Sequence, residues 1–289
     1  MRLRPGLPHR AARRGRRPGR ADRLNARKSP LQFSHANGFP APCYAALLGA
    51  LGRRHRIGAI EAIGTDARYP VTDRWLHLVE QLEDAIECEW RGEPVFGVGH
   101  SLGGYLTLLA AVRRPELFRA IVLLDAPVIG AVKGRLLGAS KRFGIVDRVT
   151  PAGATRDRRS HWPSREDAKV HLRSRKLFRH FAEECLDDYV RHGLLGRQGH
   201  LHLRIDPAIE CQIYRTVPHD MARHARRLQV PAGFVGGADS DVVRLVGFAA
   251  MRGYRKRKVP GGHLFPLEHP REAAAAIEDL LQELEGAKS

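Results

Sequence analysis

The sequence has few cysteines and no long hydrophobic run. Its four cysteines, Cys43, Cys88, Cys185 and Cys211, lie far apart, without the paired spacing of a metal site or the density of a disulfide framework. No apolar run approaches the roughly 20 residues that span a bilayer, and the N-terminus has charge but no hydrophobic region of the signal-peptide type. These absences indicate reduced thiols and predict a soluble, cytoplasmic protein without a membrane span.

Acidic residues are also comparatively scarce. The chain has 31 Asp and Glu against 49 Lys and Arg, for a formal net charge of +18. Residues 1–30 alone hold 11 basic residues and one acid, which is +10 of that excess. This stretch has no apolar periodicity, so we predict a disordered basic tail. Such a tail could contact nucleic acid or acidic lipid, but solvated charge is the simpler interpretation, and a nucleic-acid partner is not expected.

The most informative stretch runs from Val95 to Gly104 and reads VFGVGHSLGG. An apolar run typical of a buried parallel strand ends at Gly99, and a helical pattern begins at Leu102. Glycines two positions before and after Ser101 permit the tight strand-to-helix turn known as a nucleophile elbow. The alternative is a glycine-containing turn of another α/β unit. The flanking strand and helix, together with residues further along the chain, favour the elbow.

Strand and helix patterns alternate through the first part of the chain. The predicted strands lie at 31–36, 57–63, 95–99 and 120–124, and the predicted helices at 41–52, 73–90 and 102–113. This alternation predicts an α/β fold with a mostly parallel central sheet flanked by helices. The pattern resumes with strands at 230–235 and 254–259 and a helix at 271–285.

Residues 128–228 break this alternation. They contain helical patterns, such as 166–179 and 183–192, but few β-like runs. We therefore predict an inserted helical cap at 128–228, between core segments 31–127 and 229–289. The cap holds eight histidines, none in a tight ligand pattern with cysteine or carboxylate, so no metal site is predicted.

An elbow serine needs a histidine base and an acid, which should follow it in the order serine, acid, histidine. His263 lies in the sequence GGHLFP, whose glycines would let the loop approach the serine. Asp239 and Asp241 follow the strand at 230–235, and Asp125 follows the neighbouring strand. We prefer Asp239 as the acid, with Asp241 and Asp125 as alternatives.

An oxyanion hole in such a site requires two backbone N–H donors. One is expected from the residue after the nucleophile, which is Leu102, and the other from the loop after an early strand. In the loop Asn37-Gly38-Phe39-Pro40 we assign the second donor to Phe39. The alternative for Asn37-Gly38 is an ordinary turn.

Four segments together resemble the α/β-hydrolase fold superfamily, in its capped, serine-nucleophile, esterase- and lipase-like form. They are Asn37–Pro40, Gly99–Gly104, Leu124–Pro127 and Gly262–Pro270, and the resemblance spans 31–285. It implies an α/β-hydrolase fold with an inserted helical cap, a Ser-Asp-His triad, no metal or organic cofactor, and a small-molecule ester substrate. The superfamily hosts many reactions, so it does not name a substrate. Serine at the elbow argues against epoxide hydrolases and haloalkane dehalogenases, which use aspartate there.

Two features depart from the common pattern of that superfamily. Residues 1–28 contain no convincing opening strand or hairpin. The oxyanion loop reads His35-Ala36-Asn37-Gly38, where His-Gly followed by an apolar residue is usual; aligning Asn37 with that histidine keeps Phe39 as the donor.

The leading prediction is a serine hydrolase that cleaves a carboxylic ester or thioester through an acyl-enzyme on Ser101. Acyl transfer or C–C hydrolysis would use the same residues. A different class of function is a non-catalytic binding module whose basic tail recruits nucleic acid or membrane. The sequence carries no indication of the oligomeric state.

Overall fold

A computed structural model of the protein describes residues 28–197 and 199–286. Residues 1–27 of the basic tail predicted over residues 1–30 lie outside the described residues. The end of that prediction is corrected, because Ser29 and Pro30 already belong to the first strand and pair with His55 and Arg56.

Most strands of the described residues belong to one parallel sheet. In chain order the strands are β1 (Ser29–Ser34), β2 (His55–Ala59), β3 (Val95–His100), β4 (Phe118–Leu124), β5 (His161–Trp162), β6 (Leu194–Arg197), β7 (His200–Leu203), β8 (Ala232–Gly237) and β9 (Arg255–Val259). Six of them form the order β2-β1-β3-β4-β8-β9, and all neighbours are parallel. The predicted mostly parallel central sheet is confirmed.

Helices follow the strands of this sheet. They are α1 (Ala45–Leu51), α2 (Leu76–Trp90), α3 (Leu102–Arg113), α4 (Ala131–Arg142), α5 (Val146–Val149), α6 (Ala152–Arg156), α7 (Arg165–Ser174), α8 (Glu183–His192), α9 (Pro207–Arg215), α10 (Met221–Ala225), α11 (Asp241–Val246), α12 (Phe265–Glu268) and α13 (Pro270–Gly286). Short 3₁₀ turns at Ala41–Tyr44 and Asp73–Trp75 lead into α1 and α2. None of the helices in the described ranges has the length and apolar character that crossing a membrane requires.

The sheet is buried on both faces because its strands are apolar on both sides. In β4, Val122 and Leu124 pack into one hydrophobic cluster, and Ile121 and Leu123 pack into the other, as the two-residue repeat of a strand requires. The first cluster includes side chains of α1 and α13, and the second includes side chains of α2 and α3. This two-sided packing holds the carboxyl ends of the central strands in fixed positions.

The segment between β4 and β8 contains α4 to α10 and a small antiparallel sheet of order β5-β7-β6. The helices agree with the pattern read from residues 128–228, but the three strands were not predicted. They are two to four residues long. A strand that short produces too little alternation to be recognised from sequence.

Candidate active site

Ser101 occupies the sharp turn between β3 and α3. Its φ of 51° lies in the left-handed region, which a residue other than glycine adopts only where the surrounding structure holds it there. A Cβ atom on Gly99 would lie 2.3 Å from the carbonyl oxygen of Gly103, and one on Gly103 would lie 2.0 Å from the carbonyl oxygen of Ser34. Glycine is therefore required on both sides of the serine, in agreement with the predicted elbow.

The structure brings Ser101, His263 and Asp125 into one hydrogen-bonded series. Nε2 of His263 lies 3.1 Å from Oγ of Ser101, and Nδ1 of His263 lies 2.7 Å from Oδ2 of Asp125. A carboxylate only accepts, so Nδ1 carries the proton and Nε2 is free to accept from the serine hydroxyl. A neutral imidazole in this tautomer can take the proton of Ser101.

Asp125 follows β4 and is held by the end of the adjacent strand β8 and by the loop after it. Its side chain is buried, with the residue 1% exposed, and its N–H donates to Val235 O at 2.8 Å. Oδ1 accepts from the N–H of Gly237 at 2.9 Å, and Oδ2 also accepts from the hydroxyl of Ser240. These donors fix the direction of the carboxylate toward His263.

The preference for Asp239 as the acid is corrected by this geometry. Asp239 is exposed, and its N–H donates to Gly261 O at 3.0 Å. Asp241 is also exposed, begins α11 and forms an ion pair with Arg244. The hydrogen bonds of the described residues join neither carboxylate to His263, whereas Asp125, the remaining alternative, lies against it.

Ser240 is a residue that the sequence reasoning did not single out. Its hydroxyl donates to Asp125 and accepts from the N–H of Val243 at 3.2 Å, so it is also the N-cap of α11. The sequence GGADSD at the end of β8 contains a signal for such a cap, but the contact with Asp125 is made across 115 residues of the sequence.

The predicted oxyanion donors differ in their surroundings. Leu102 is the first residue of α3, so its N–H has no acceptor within the helix. The N–H of Phe39 donates to Ala36 O at 3.1 Å across a turn in which Gly38 has a φ of 80°. An oxyanion would have to share that amide with the turn.

The loop of Gly38 and Phe39 is held from the opposite side by residues distant in sequence. The ring of Phe39 packs against those of Phe178 and Tyr189 at centroid distances of 5.8 and 5.4 Å. The carboxylate of Glu210 fills the space beside Gly38, where a Cβ atom would lie 2.8 Å from it, and forms a partly buried ion pair with Arg158. Burial raises the pKa of Glu210 to about 7, although Arg158 opposes this shift.

A buried hydrogen-bond relay connects this loop to the loop of His263. The N–H of Ala36 donates to the Tyr44 hydroxyl at 3.3 Å. The same hydroxyl lies 2.8 Å from Nδ1 of His100, and Nε2 of His100 lies 2.9 Å from the carbonyl oxygen of His263. Because that carbonyl only accepts, Nε2 of His100 carries the proton and Nδ1 accepts from Tyr44. Burial lowers the pKa of His100 to about 3, so its ring stays neutral near pH 7.

Ser101 and His263 open onto a cavity of about 560 Å³. One wall comes from the loops at the carboxyl ends of the central strands, and the other comes from residues between 151 and 214. Apolar side chains such as Phe178 and Leu172 lie beside arginines in that second wall. Within the described ranges, His, Cys, Asp and Glu form no group of three suited to a metal ion.

A serine at a strand-to-helix elbow, hydrogen-bonded to a histidine that in turn contacts a buried aspartate, is typical of the sites of α/β hydrolases. The family model for the alpha/beta hydrolase family matches residues 33–277. The chain belongs to the alpha/beta hydrolase family.

Individual proteins are similar to this chain at lower identity. The abhydrolase domain-containing protein AFT2-1 of Alternaria alternata is 28% identical over 232 residues, which cover 66% of this chain and 84% of that protein. The type I acyl-CoA thioesterase mpaH of Penicillium brevicompactum is 35% identical over 100 residues, or 34% of this chain and 21% of that one. The crystal structure of E-2-(acetamidomethylene)succinate hydrolase matches with a TM-score of 0.68 and 20% identity, covering 88% of this chain and 91% of that chain. That likeness concerns the fold.

Proposed function

We propose that the protein is a serine hydrolase that cleaves a carboxylic ester or thioester through an acyl-enzyme on Ser101. The observation that carries the proposal is the series Ser101–His263–Asp125, with distances of 3.1 and 2.7 Å. Its family and its similarity to an acyl-CoA thioesterase over 100 residues support this reaction class. Residues 128–228 would act as the cap that encloses the substrate over this site.

Each group in the site has a defined part in the proposed reaction. Oγ of Ser101 attacks the carbonyl carbon while its proton passes to Nε2 of His263, and Asp125 stabilises the resulting imidazolium. The N–H groups of Leu102 and Phe39 would hold the oxyanion. The C–O or C–S bond then breaks, and His263 returns the proton to the leaving group. Water attacks the acyl-enzyme by the same route, which releases the carboxylic acid and restores Ser101.

The test combines a fluorophosphonate probe with p-nitrophenyl esters of graded chain length, applied to wild type and to Ser101→Ala. We expect labelling at Ser101 and ester hydrolysis in wild type alone. Folded wild-type protein that is not labelled, or equal hydrolysis rates in the two proteins, would refute the proposed mechanism. The chain length with the highest kcat/KM would define the acyl group.

A further inference from the structure

Three basic side chains meet at the rim of the cavity that contains Ser101. Arg159 precedes β5, His171 lies in α7, and Arg175 directly follows α7. All three line the cavity. Burial lowers the pKa of His171, and the charges of Arg159 and Arg175 lower it further, so both guanidinium groups act on the same ring.

Trp162 holds two members of this rim in place. Its side chain is buried, with the residue 3% exposed. The guanidinium of Arg159 lies 5.8 Å from the Trp162 ring centroid, and the His171 ring lies 5.9 Å from it. Nε of Arg159 also donates to the carbonyl oxygen of His161 at 3.0 Å. Arg159 is therefore directed by an aromatic face and a backbone carbonyl, and neither neutralises its charge.

The carboxylates around the cavity leave this charge largely uncompensated. Asp125 is bonded to His263, and Glu210 is paired with Arg158. Asp157 also lines the cavity and is exposed. In the part of the chain that the structure describes, neither Arg159 nor Arg175 forms an ion pair within 4.0 Å. Like charges that lie close together without partners repel one another and destabilise the folded state, and a bound ligand of opposite charge relieves this repulsion.

Building on the proposed hydrolase function, we propose that Arg159, His171 and Arg175 form a binding site for an anionic group of the ester or thioester substrate. The anion is a carboxylate on the acyl group or a phosphate on the leaving group. Guanidinium groups bind both with paired, charge-assisted hydrogen bonds. A cleft rich in one charge also raises the local concentration of a ligand of the opposite charge.

The first test compares matched neutral and anionic substrates. Mono-p-nitrophenyl glutarate is set against p-nitrophenyl butyrate, and acetyl-coenzyme A against the acetyl thioester of N-acetylcysteamine. We expect Arg159→Gln/Arg175→Gln to lower kcat/KM by about tenfold or more for an anionic substrate and to leave its neutral counterpart within about twofold. A loss confined to the glutarate ester places the anion on the acyl group, and a loss confined to acetyl-coenzyme A places it on the leaving group. Arg179→Gln, an exposed arginine outside the cavity lining, is the control.

A binding measurement separates this site from the catalytic proposal. Ser101→Ala is titrated with the same two anionic substrates by calorimetry, with and without the two arginine substitutions. Anion binding that requires the arginines, in a protein whose wild type hydrolyses no ester, supports the site and refutes the hydrolase. Hydrolysis of neutral esters without anion binding, or equal losses of kcat/KM on neutral and anionic substrates, overturns the site.

Discussion

Nε2 of His100 donates a hydrogen bond to the backbone carbonyl of His263, with 2.9 Å between the nitrogen and the oxygen. The residue directly before the proposed nucleophile thus holds the loop of the proposed base. Tyr44 supports His100 from the other side and contacts the loop after β1 through Ala36. One buried relay therefore sets the positions of three loops that surround the site.

Tyr44→Phe tests this relay because it removes the hydroxyl and keeps the ring. We expect kcat to fall by about tenfold with KM little changed, since the base would lose its alignment while the cavity keeps its shape. Steady-state kinetics on p-nitrophenyl esters measure both constants. Tyr69→Phe, which removes an exposed hydroxyl bonded to Asp84, is the matched control. Unchanged kcat in Tyr44→Phe would show that the relay does not position His263.

Asp125→Asn tests the assignment of the acid. The amide would favour the wrong tautomer of His263, so we expect kcat to fall by about 10⁴. Asp239→Asn and Asp241→Asn should retain activity close to wild type, because both residues are exposed and Asp241 is paired with Arg244. A large loss of kcat in Asp239→Asn, with Asp125→Asn active, would reverse the assignment.

Ser240→Ala removes a donor to Asp125 and the N-cap of α11 together. We expect the free energy of unfolding to fall by about 1 kcal/mol and kcat to fall less than in Asp125→Asn. Ser164→Ala removes the N-cap of α7, where the side chain accepts from the N–H of Asp167, and serves as the control. If both variants lose stability but neither loses kcat, Ser240 is only a helix cap.

Gly103→Ala probes the close approach of α3 to β1. The new Cβ atom would lie 2.0 Å from Ser34 O, so we expect a loss of about 2–3 kcal/mol in the free energy of unfolding. Gly49→Ala is the control, because Gly49 lies in α1 with no atom within 4 Å of the new Cβ. That change should raise the free energy of unfolding by about 0.5–1 kcal/mol. Urea titration measures both, and equal effects would contradict the geometry.

Glu210 predicts a specific dependence of stability on pH. Burial raises its pKa from 4.5 to about 7, against the opposing effect of Arg158. The folded state therefore holds this proton more tightly than the unfolded state, and the free energy of unfolding declines as pH rises from about 4.5 through 7. We expect a shallower decline in Glu210→Gln. Glu89→Gln, on the exposed face of α2, should keep the wild-type slope, and identical slopes in all three proteins would contradict the assignment.

The sheet and the elbow were predictable because their signals are local. Apolar runs of strand length alternate with helical spacing, and the glycines around Ser101 are needed for contacts made within the elbow or with the adjacent strand. The observed ends of several helices and strands differ by a few residues from the predicted ends, because local capping determines where an element stops. For example, α11 ends at Val246, since Gly247 takes a φ of 75° that stops the helix.

The contact between Asp125 and His263 and the basic rim of the cavity could not be predicted from local signals, because both depend on contacts between distant parts of the chain. Chain order alone admits Asp125, Asp239 and Asp241. The sheet order explains which of them contacts His263: β4 lies between β3 and β8, so the residue that follows β4 lies beside both the elbow and the loop of Ser240. Arg159 and Arg175 carry no motif, and their position against the cavity follows from the three short strands and α7.

The place of Asp125 at the end of β4 has a consequence for how the chain could be recombined. Ser101 and Asp125 both precede residues 126–231, which connect the end of β4 to β8, and His263 follows them. That segment supplies one wall of the cavity and none of the three residues proposed for catalysis. A homologous segment exchanged between Asp125 and Ala232 would therefore transplant substrate preference while leaving the reacting groups on the original sheet.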